Sequence, residues 1–352
     1  MDTKLFLESL CKSKGVSGYE HHLQDTIISS FKEYLDDISV DKLGNIIGIK
    51  KGTYNDEKNI KIMIAAHMDE IGLMVKDIEE NGFIRFTNVG GIDPRTIIGQ
   101  EVIVHGIKDL FGVVGSKPPH LQEPSERDMA VKLEDMIIDV GYPKEEVEKL
   151  VNIGDTITIR RNIKNLLGSR IAGKSLDDRA GVAALFECMK ELRNIKHEAD
   201  IYFVTTVQEE VSMAGALVSS YKIHPDIGIA VDVGFGSTPE LPKSSTIELG
   251  QGPAIALGGN IHPNLRRKLV EIAKEYNIPN QIEVNPGPTG TDARAMQITR
   301  EGIPSLLLSI PLRYMHTSVE VVDMEDIKNT GKLLAFFVAS ISRDNLEGLL
   351  CY

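Results

Sequence analysis

The 352-residue sequence predicts an α/β fold: a mostly parallel sheet flanked by helices, with an inserted β-rich barrel or sandwich. Three observations point to it. Nearly continuous apolar runs, as in strands buried on both faces of a sheet, occur at residues 61–66, 200–207, 227–233 and 304–309. Segments with helical periodicity alternate with them, which implies a sheet covered on both faces. Between about residues 71 and 163 the texture changes to short β-branched runs separated by Gly, Pro and Asn, the pattern of a small barrel or sandwich.

Each element follows from its local pattern. From 2 to 35 the spacing of Ile27, Ile28, Phe31 and Leu35 predicts helix. Residues 40–49 read as a strand pair with Gly44-Asn45 at the turn. The run at 61–66 is then a central strand. In the insert, strands are expected at 82–87, 101–105, 111–114 and 155–159, and the charged stretch 129–150 reads as one or two short helices. Residues 179–192 form a helix with Val182, Leu185, Met189 and Leu192 on one face. Strands follow at 200–207 and 227–233. Pro263 opens a helix striped by Leu265, Leu269, Ile272 and Tyr276. A strand at 304–309 precedes a last helix, 324–341, with Asp323 at its N-cap. The chain thus divides into a discontinuous α/β domain, 1–70 and 165–352, and an inserted domain, 71–164.

Composition narrows the function. Acidic residues outnumber basic ones, 51 to 39, for a formal net charge of −12. That field opposes nucleic acid and anionic membrane surfaces as partners. Cys11, Cys188 and Cys351 are too far apart for a disulfide framework or a CxxC metal site. No apolar run approaches the ~18–20 residues of a membrane span, and an acidic residue precedes any apolar stretch that could serve as a signal segment. The expectation is a soluble, cytoplasmic protein.

Ligands of such sheets sit at the carboxyl ends of the strands, and there the sequence places chemistry. His67, Asp69 and Glu70 follow the first central run, and Gln208, Glu209 and Glu210 follow the second. Asp232 lies within the third, and His316 comes just after the fourth. Asp177 and Asp178 stand ahead of the helix at 179. Five loops deliver His, Asp or Glu and no cysteine, a donor set for zinc, cobalt or manganese. A lone histidine after a strand is ordinarily structural, but Asp69, two positions on, can accept the second N–H of His67 and fix its tautomer. His21, His22, His197, His224 and His262 are expected at the surface. Glu209-Glu210 could be a solvated helix start. At the end of so apolar a strand, one can instead bind metal while the other faces the attacking water as base. Of Asp177 and Asp178, one could cap the helix and the other bridge two metals. Asp232 inside an apolar stretch is costly unless paired or metal-bound. His67, Asp177, Glu210, Asp232 and His316 suffice for two metal ions, with Glu209 as base and Asp69 as orienter. Such a constellation hydrolyses amides, esters or phosphates.

Six motifs in order then carry a resemblance: Ala65-Ala-His-Met-Asp-Glu-Ile-Gly72, Ser175-Leu-Asp-Asp-Arg-Ala-Gly181, Val207-Gln-Glu-Glu-Val211, Val231-Asp-Val-Gly234, Gly290-Thr-Asp-Ala293 and Arg313-Tyr-Met-His-Thr317. Over essentially the whole chain it resembles the glutamyl-aminopeptidase family of metallo-aminopeptidases that build tetrahedral particles. The resemblance implies a zinc-exopeptidase-like catalytic domain and makes the insert a dimerisation and assembly domain. It also implies two divalent ions per subunit, zinc or cobalt with manganese as an option. His67 and Asp232 would complete one site, Glu210 and His316 the other, and Asp177, the first Asp of its motif, would bridge. Glu209 would activate water and Asp69 support His67. Partners are then peptide substrates and further copies of the chain, in dimers assembling into a dodecamer. Gly290 and Thr291, in a loop before a helix, are expected to line the substrate pocket with backbone N–H groups, with Arg313 as a neighbour. Gly115-Ser-Lys-Pro-Pro-His120 also resembles a segment of the family's insert. The alternatives are a metal-dependent deacylase or dipeptidase on a related fold, an endoglucanase, and a non-catalytic assembly or binding protein with a relic metal site. Retention of Glu209 argues against the relic. The absence of Trp and only 5% aromatic residues argue against the glucanase.

Overall fold

The computed structural model of the chain describes residues 1–54, 59–123, 125 and 129–351. Two helices open it, α1 (Thr3–Lys12) and α2 (His21–Phe31). Asp2 caps the first by accepting the amides of Lys4 and Leu5. The helical texture from 2 to 35 is therefore two helices. The break holds Gly18 at φ 87° and Gly15, where a Cβ would stand 2.5 Å from Leu23. A hairpin follows, β1 (Asp37–Val40) and β2 (Ile46–Lys50), with Val40 opposite Ile46. In its loop the Asp41 carboxylate accepts the amides of Leu43, Gly44 and Asn45.

Next come β3 (Lys61–His67), β4 (Gly72–Ile78), β5 (Ile84–Val89), β6 (Glu101–His105), β7 (Asp109–Gly115), β8 (Ile137–Asp139), α3 (Lys144–Val147) and β9 (Thr156–Ile159). Six of these strands close a barrel in the order β4-β5-β8-β7-β6-β9. Alternation builds its interior: Val102 and Val104, like Leu110 and Val114, point inward into a core separate from the main one. Residues 129–150, expected to be helical, supply the barrel strand β8 as well as α3. Ile138 is fully buried opposite Ile84, but a three-residue strand is too short to show a period.

The rest of the chain forms β10 (Lys164–Asn165), β11 (Arg170–Gly173), α4 (Leu176–Glu191), β12 (Asp200–Thr206), α5 (Glu209–Ser212), α6 (Ala214–Ile223), β13 (Ile227–Phe235), β14 (Ala254–Gly258), α7 (Pro263–Glu275), β15 (Gln281–Asn285), α8 (Asp292–Gln297), β16 (Ser305–Arg313), β17 (Glu320–Asp323), α9 (Met324–Ala339) and α10 (Arg343–Leu350). With the hairpin and β3 they make an 11-stranded sheet, ordered β1-β2-β12-β3-β13-β16-β17-β11-β10, with β14 pairing β16 and β15. Parallel pairing joins β12, β3, β13 and β16 at the centre and β14 with β15 to one side. Antiparallel pairs make up the rest, some joined by short connections such as the β1–β2 hairpin and others, β2–β12 and β11–β17, between strands distant in the chain.

Helix α4 differs from its expected single apolar face. Every residue from Leu176 to Met189 is buried. The sheet, α1 and α9 cover different sides of it, and Gly331 of α9 comes so close that a Cβ there would stand 2.7 Å from the Ala184 carbonyl. Two histidines assigned to the surface are also buried. His197 Nδ1 lies 2.8 Å from the Ala199 carbonyl, and His262 is the N-cap of α7. Both are spent on backbone groups at element ends, a use with no periodic signature. No helix among the described residues is long and apolar enough to cross a membrane.

Candidate metal centre

The carboxyl ends of β12, β3 and β13 converge because these strands are parallel neighbours. Thr206 is level with His67 across one pair, and Ile227–Ala230 run alongside Ile62–Ala65 in the other. After β12 the chain turns at Gln208, a residue at φ 58° whose amide donates to Glu20 Oε1 at 3.0 Å. That turn starts α5 over the end of β3 and presents Glu209 and Glu210. Asp177 arrives from the first turn of α4, and His316, at φ 60°, from the loop after β16.

Two groups of donors result, and they share a member. His67, Asp177 and Asp232 form one, and Asp177, Glu210 and His316 the other, each with a ligand atom per residue within 4.8 Å of the rest. His67 Nε2 is 3.1 Å from Asp177 Oδ1 and 4.0 Å from Asp232 Oδ1. His316 Nε2 is 3.3 Å from both Asp177 Oδ2 and Glu210 Oε2. Each oxygen of Asp177 thus faces a different histidine. Glu209 stands beside the pair, its Oε2 3.9 Å from His67 Nε2. Asp178 points elsewhere, accepting the Gly181 amide at 3.0 Å inside its own helix.

Asp69 does more than the sequence led one to expect. Its Oδ1 lies 3.5 Å from His67 Nδ1, but its own carbonyl is closer to that nitrogen, at 3.2 Å. The carboxylate accepts the backbone amides of Glu209 (3.1 Å) and Glu210 (3.2 Å), fixing α5 beside His67. Glu320, which the sequence did not single out, does the same for two other loops. Its buried carboxylate accepts the amides of Leu176, Asp177 and His316 at 2.7, 3.2 and 3.1 Å. Only its place four residues after His316, just ahead of an apolar pair, hinted at this. Asp292, buried at the start of α8, accepts the Thr206 hydroxyl at 2.5 Å.

Electrostatics tests whether these residues suit a cation. Burial, then the Asp232, Asp292 and Glu210 charges working against His67, lifts Glu209 to about 10. Burial and Asp177 lift Glu210 to about 8, and burial and Asp177 likewise lift Asp232 to about 8. Burial pulls the His67 pKa down, but the carboxylates around it win and raise it. The hydrogen bond to Asp177 raises His316 to about 9. Among the described residues, Glu209 Oε1 and Glu210 Oε1 are buried without a hydrogen-bond partner. So many carboxylates around two imidazoles cannot all ionise without added positive charge. Imidazole nitrogens and carboxylate oxygens are also the donor types of divalent transition metals. The residues fit such a group.

The centre opens into a cleft of about 630 Å³. Gly290 and Thr291 line it, at the loop leading into α8. Arg313 does not. Its Nε donates to the Ser237 carbonyl at 2.6 Å, which ties the end of β16 to the neighbouring loop and turns the side chain away from the cleft. His120 is exposed on the barrel domain and lines none of this cleft.

Known proteins give this geometry a context. The model of the M42 glutamyl aminopeptidase family matches residues 44–333. The chain is 43% identical to the lysyl aminopeptidase of Pyrococcus furiosus, over 93% of this chain and 94% of that one. Its structure resembles aminopeptidase APDkam598 from the archaeon Desulfurococcus kamchatkensis with a TM-score of 0.92 and 36% identity, covering 99% of this chain and 98% of that one. The TET1 peptidase of Pyrococcus horikoshii, which can assemble into a tetrahedron or a large octahedral shell, matches with a TM-score of 0.85 and 34% identity, covering 97% of this chain and all of that one. The chain belongs to the M42 glutamyl aminopeptidase family and is a metal-dependent peptide hydrolase.

Proposed function

We propose that this aminopeptidase removes N-terminal residues from peptides with Glu209 as general base and two divalent ions bound by five side chains. His67 and Asp232 would hold one ion, Glu210 and His316 the other, and Asp177 would be shared. The observation that carries this is the pair of donor groups meeting at Asp177, with Glu209 beside them but in neither. Zinc or cobalt fits the donor set, and manganese is a third option. Bound there, such ions supply Lewis acidity and lower the pKa of water.

The protein's own groups do the rest. Glu209 takes the proton of the attacking water on its carboxylate and returns it to the leaving amine. Asp69 holds Glu209 and Glu210 by their amides, so the base keeps its distance from His67. Gly290 and Thr291 flank the peptide where it enters. The acidic cluster offers the free α-amino group a counter-charge, which restricts cleavage to the first residue.

Residues 1–70 and 165–352 would form a zinc-exopeptidase-like catalytic domain and residues 71–164 a dimerisation and assembly domain. Support for assembly lies on the barrel, where Phe111 and Val113 face outward from β7 and Ile107 and Ile153 are well exposed. The related TET1 structures, one a dodecamer and another able to form a tetrahedron or a large octahedral shell, support dimers assembling into a dodecamer. The free cysteines, two of them buried, suit a cytoplasmic setting.

The test is hydrolysis of aminoacyl chromogenic amides before and after chelation. Activity should vanish with chelator and return with zinc or cobalt, and N-acetylated substrates should stay intact. Full activity in metal-free protein would refute the reading, while cleavage of N-acyl substrates would favour a deacylase.

A further inference from the structure

Apart from the candidate metal centre and its proposed base, two charged side chains among the described residues line the cleft, Glu283 and Arg294. Building on the aminopeptidase reading, we propose that Glu283 determines specificity and selects peptides whose N-terminal side chain is cationic, lysine or arginine. Strand register sets its place. Ser309 of β16 is level with Asp232 of β13 on one side and with Ala254 of β14 on the other. Two residues along β14, Ala256 is level with Glu283 of β15. The Ser309 hydroxyl reaches across and donates to Glu283 Oε2 at 2.6 Å. The carboxylate is therefore anchored in the cleft on Ser309, which is level with Asp232, and on this proposal it faces the space that a substrate's first side chain would enter.

Space and charge both favour this use. Gly234, two residues past Asp232 and so on the same face of β13, has no side chain to hold Glu283, Ser309 and Ile247 off the strand, so the Glu283 carboxylate lies close over β13. A Cβ at that position would stand 2.9 Å from Ser309 Cβ and 3.1 Å from Glu283 Oε1. Among the described residues the Glu283 carboxylate is paired with no cation; its hydrogen-bond partner is Ser309. Leu307, Met315 and Phe235 line the same cleft. A lysine or arginine can lay its methylene stem on such a wall and end its charge on the carboxylate. Arg294, the rival that would favour acidic substrates, is solvent-exposed on α8, and an acidic side chain reaching the sheet would meet Glu283 as a like charge.

The experiment measures kcat/KM of zinc- or cobalt-loaded protein on lysyl, arginyl, leucyl and glutamyl chromogenic amides. It uses the unaltered chain, Glu283→Gln and Glu283→Asp, with thermal unfolding to confirm that each is folded. The expected result is preference for lysyl and arginyl amides, a lysyl-to-leucyl ratio lowered about 10- to 100-fold by Glu283→Gln, mostly through KM, and a preference largely kept by Glu283→Asp. A ratio unmoved by Glu283→Gln, or an unaltered chain that prefers leucyl or glutamyl amides, overturns the inference alone. Failure to turn over any of the four overturns the aminopeptidase reading and this inference together.

Discussion

Asp69 and Glu70 are neighbours in the chain, yet they belong to two buried charge clusters of opposite character. Glu70 lies between cations: Lys174 Nζ is 2.5 Å from one of its oxygens, Arg179 Nη2 is 3.2 Å from the other, and the Ser175 hydroxyl donates to it as well. Burial pushes its carboxyl up, but Arg179 and Lys174 outweigh burial and hold it at about 2. Around Asp69 the balance runs the other way, with Asp177, Glu209, Glu210 and Asp232 gathered on two histidines. A cluster whose carboxylate is already matched by cations is complete as architecture. One with surplus carboxylates, lifted to about 8 and about 10, is built to receive positive charge from outside.

The largest effect should come from the surplus side. Glu209→Gln keeps the shape and removes the proposed base, so kcat should fall roughly 10²- to 10⁴-fold while bound metal, counted by elemental analysis, stays at the unaltered level. A near-normal rate would strip Glu209 of its role and leave that cluster no more catalytic than the other. On the cation-rich side, Arg179→Met leaves Glu70 only Lys174 and Ser175 and strands the Leu10 and Ser13 carbonyls that the guanidinium serves at 2.5 and 2.8 Å. Denaturant unfolding should show a loss of about 3–5 kcal/mol. An unchanged midpoint would mean that the ion cluster does not hold these elements together.

Acid and base should separate the clusters by sign. Glu70 is depressed below its ordinary 4.5, so its stabilisation is fully present above about pH 4.5 and is lost as pH falls toward 2. Glu210 and Asp232 are raised, so in chelated protein the folded state holds protons that the unfolded chain has released. Chelated protein should then lose thermal stability as pH climbs from about 5 to 9, and added zinc should remove that slope. A chelated protein that gains stability over this range would contradict the crowding argument. The smallest expected effect is at Glu320. Replacing it with Gln weakens the grip on the Leu176, Asp177 and His316 amides, and kcat should drop roughly 10-fold with metal content little changed.

How much of this was legible depends on what each residue answers to. Strands β3, β12 and β13 are covered on both faces, so their sequences are nearly unbroken apolar runs and were found at once. Helix α7 shows a stripe because one face meets solvent. The barrel strand β8 could not be seen, since three residues carry no period. Beyond the hairpin at 40–49, strand direction toward the edges of the main sheet was not legible, because it depends on how the chain connects, and local composition is silent on that. At the candidate metal centre, His67, Glu209, Glu210, Asp232 and His316 were visible because each follows or interrupts an apolar run, where a charge has a cost and therefore a reason. Glu320, Glu283 and Arg179 were not assigned roles, because each acts on a partner more than 20 residues away.

The sequence by itself determined which residues must be buried and which polar groups break into the buried runs, since burial acts on each side chain through its own transfer free energy. From that came the central strands, a separate β-rich insert and the roster of donors. Only the tertiary structure decided that Asp177 turns an oxygen to each histidine while Asp178 turns away. It also decided that Arg313 leaves the cleft and that Glu283 comes to lie along the sheet from Asp232. Those outcomes depend on directions and distances between distant segments, which exist only once the strands have paired in register.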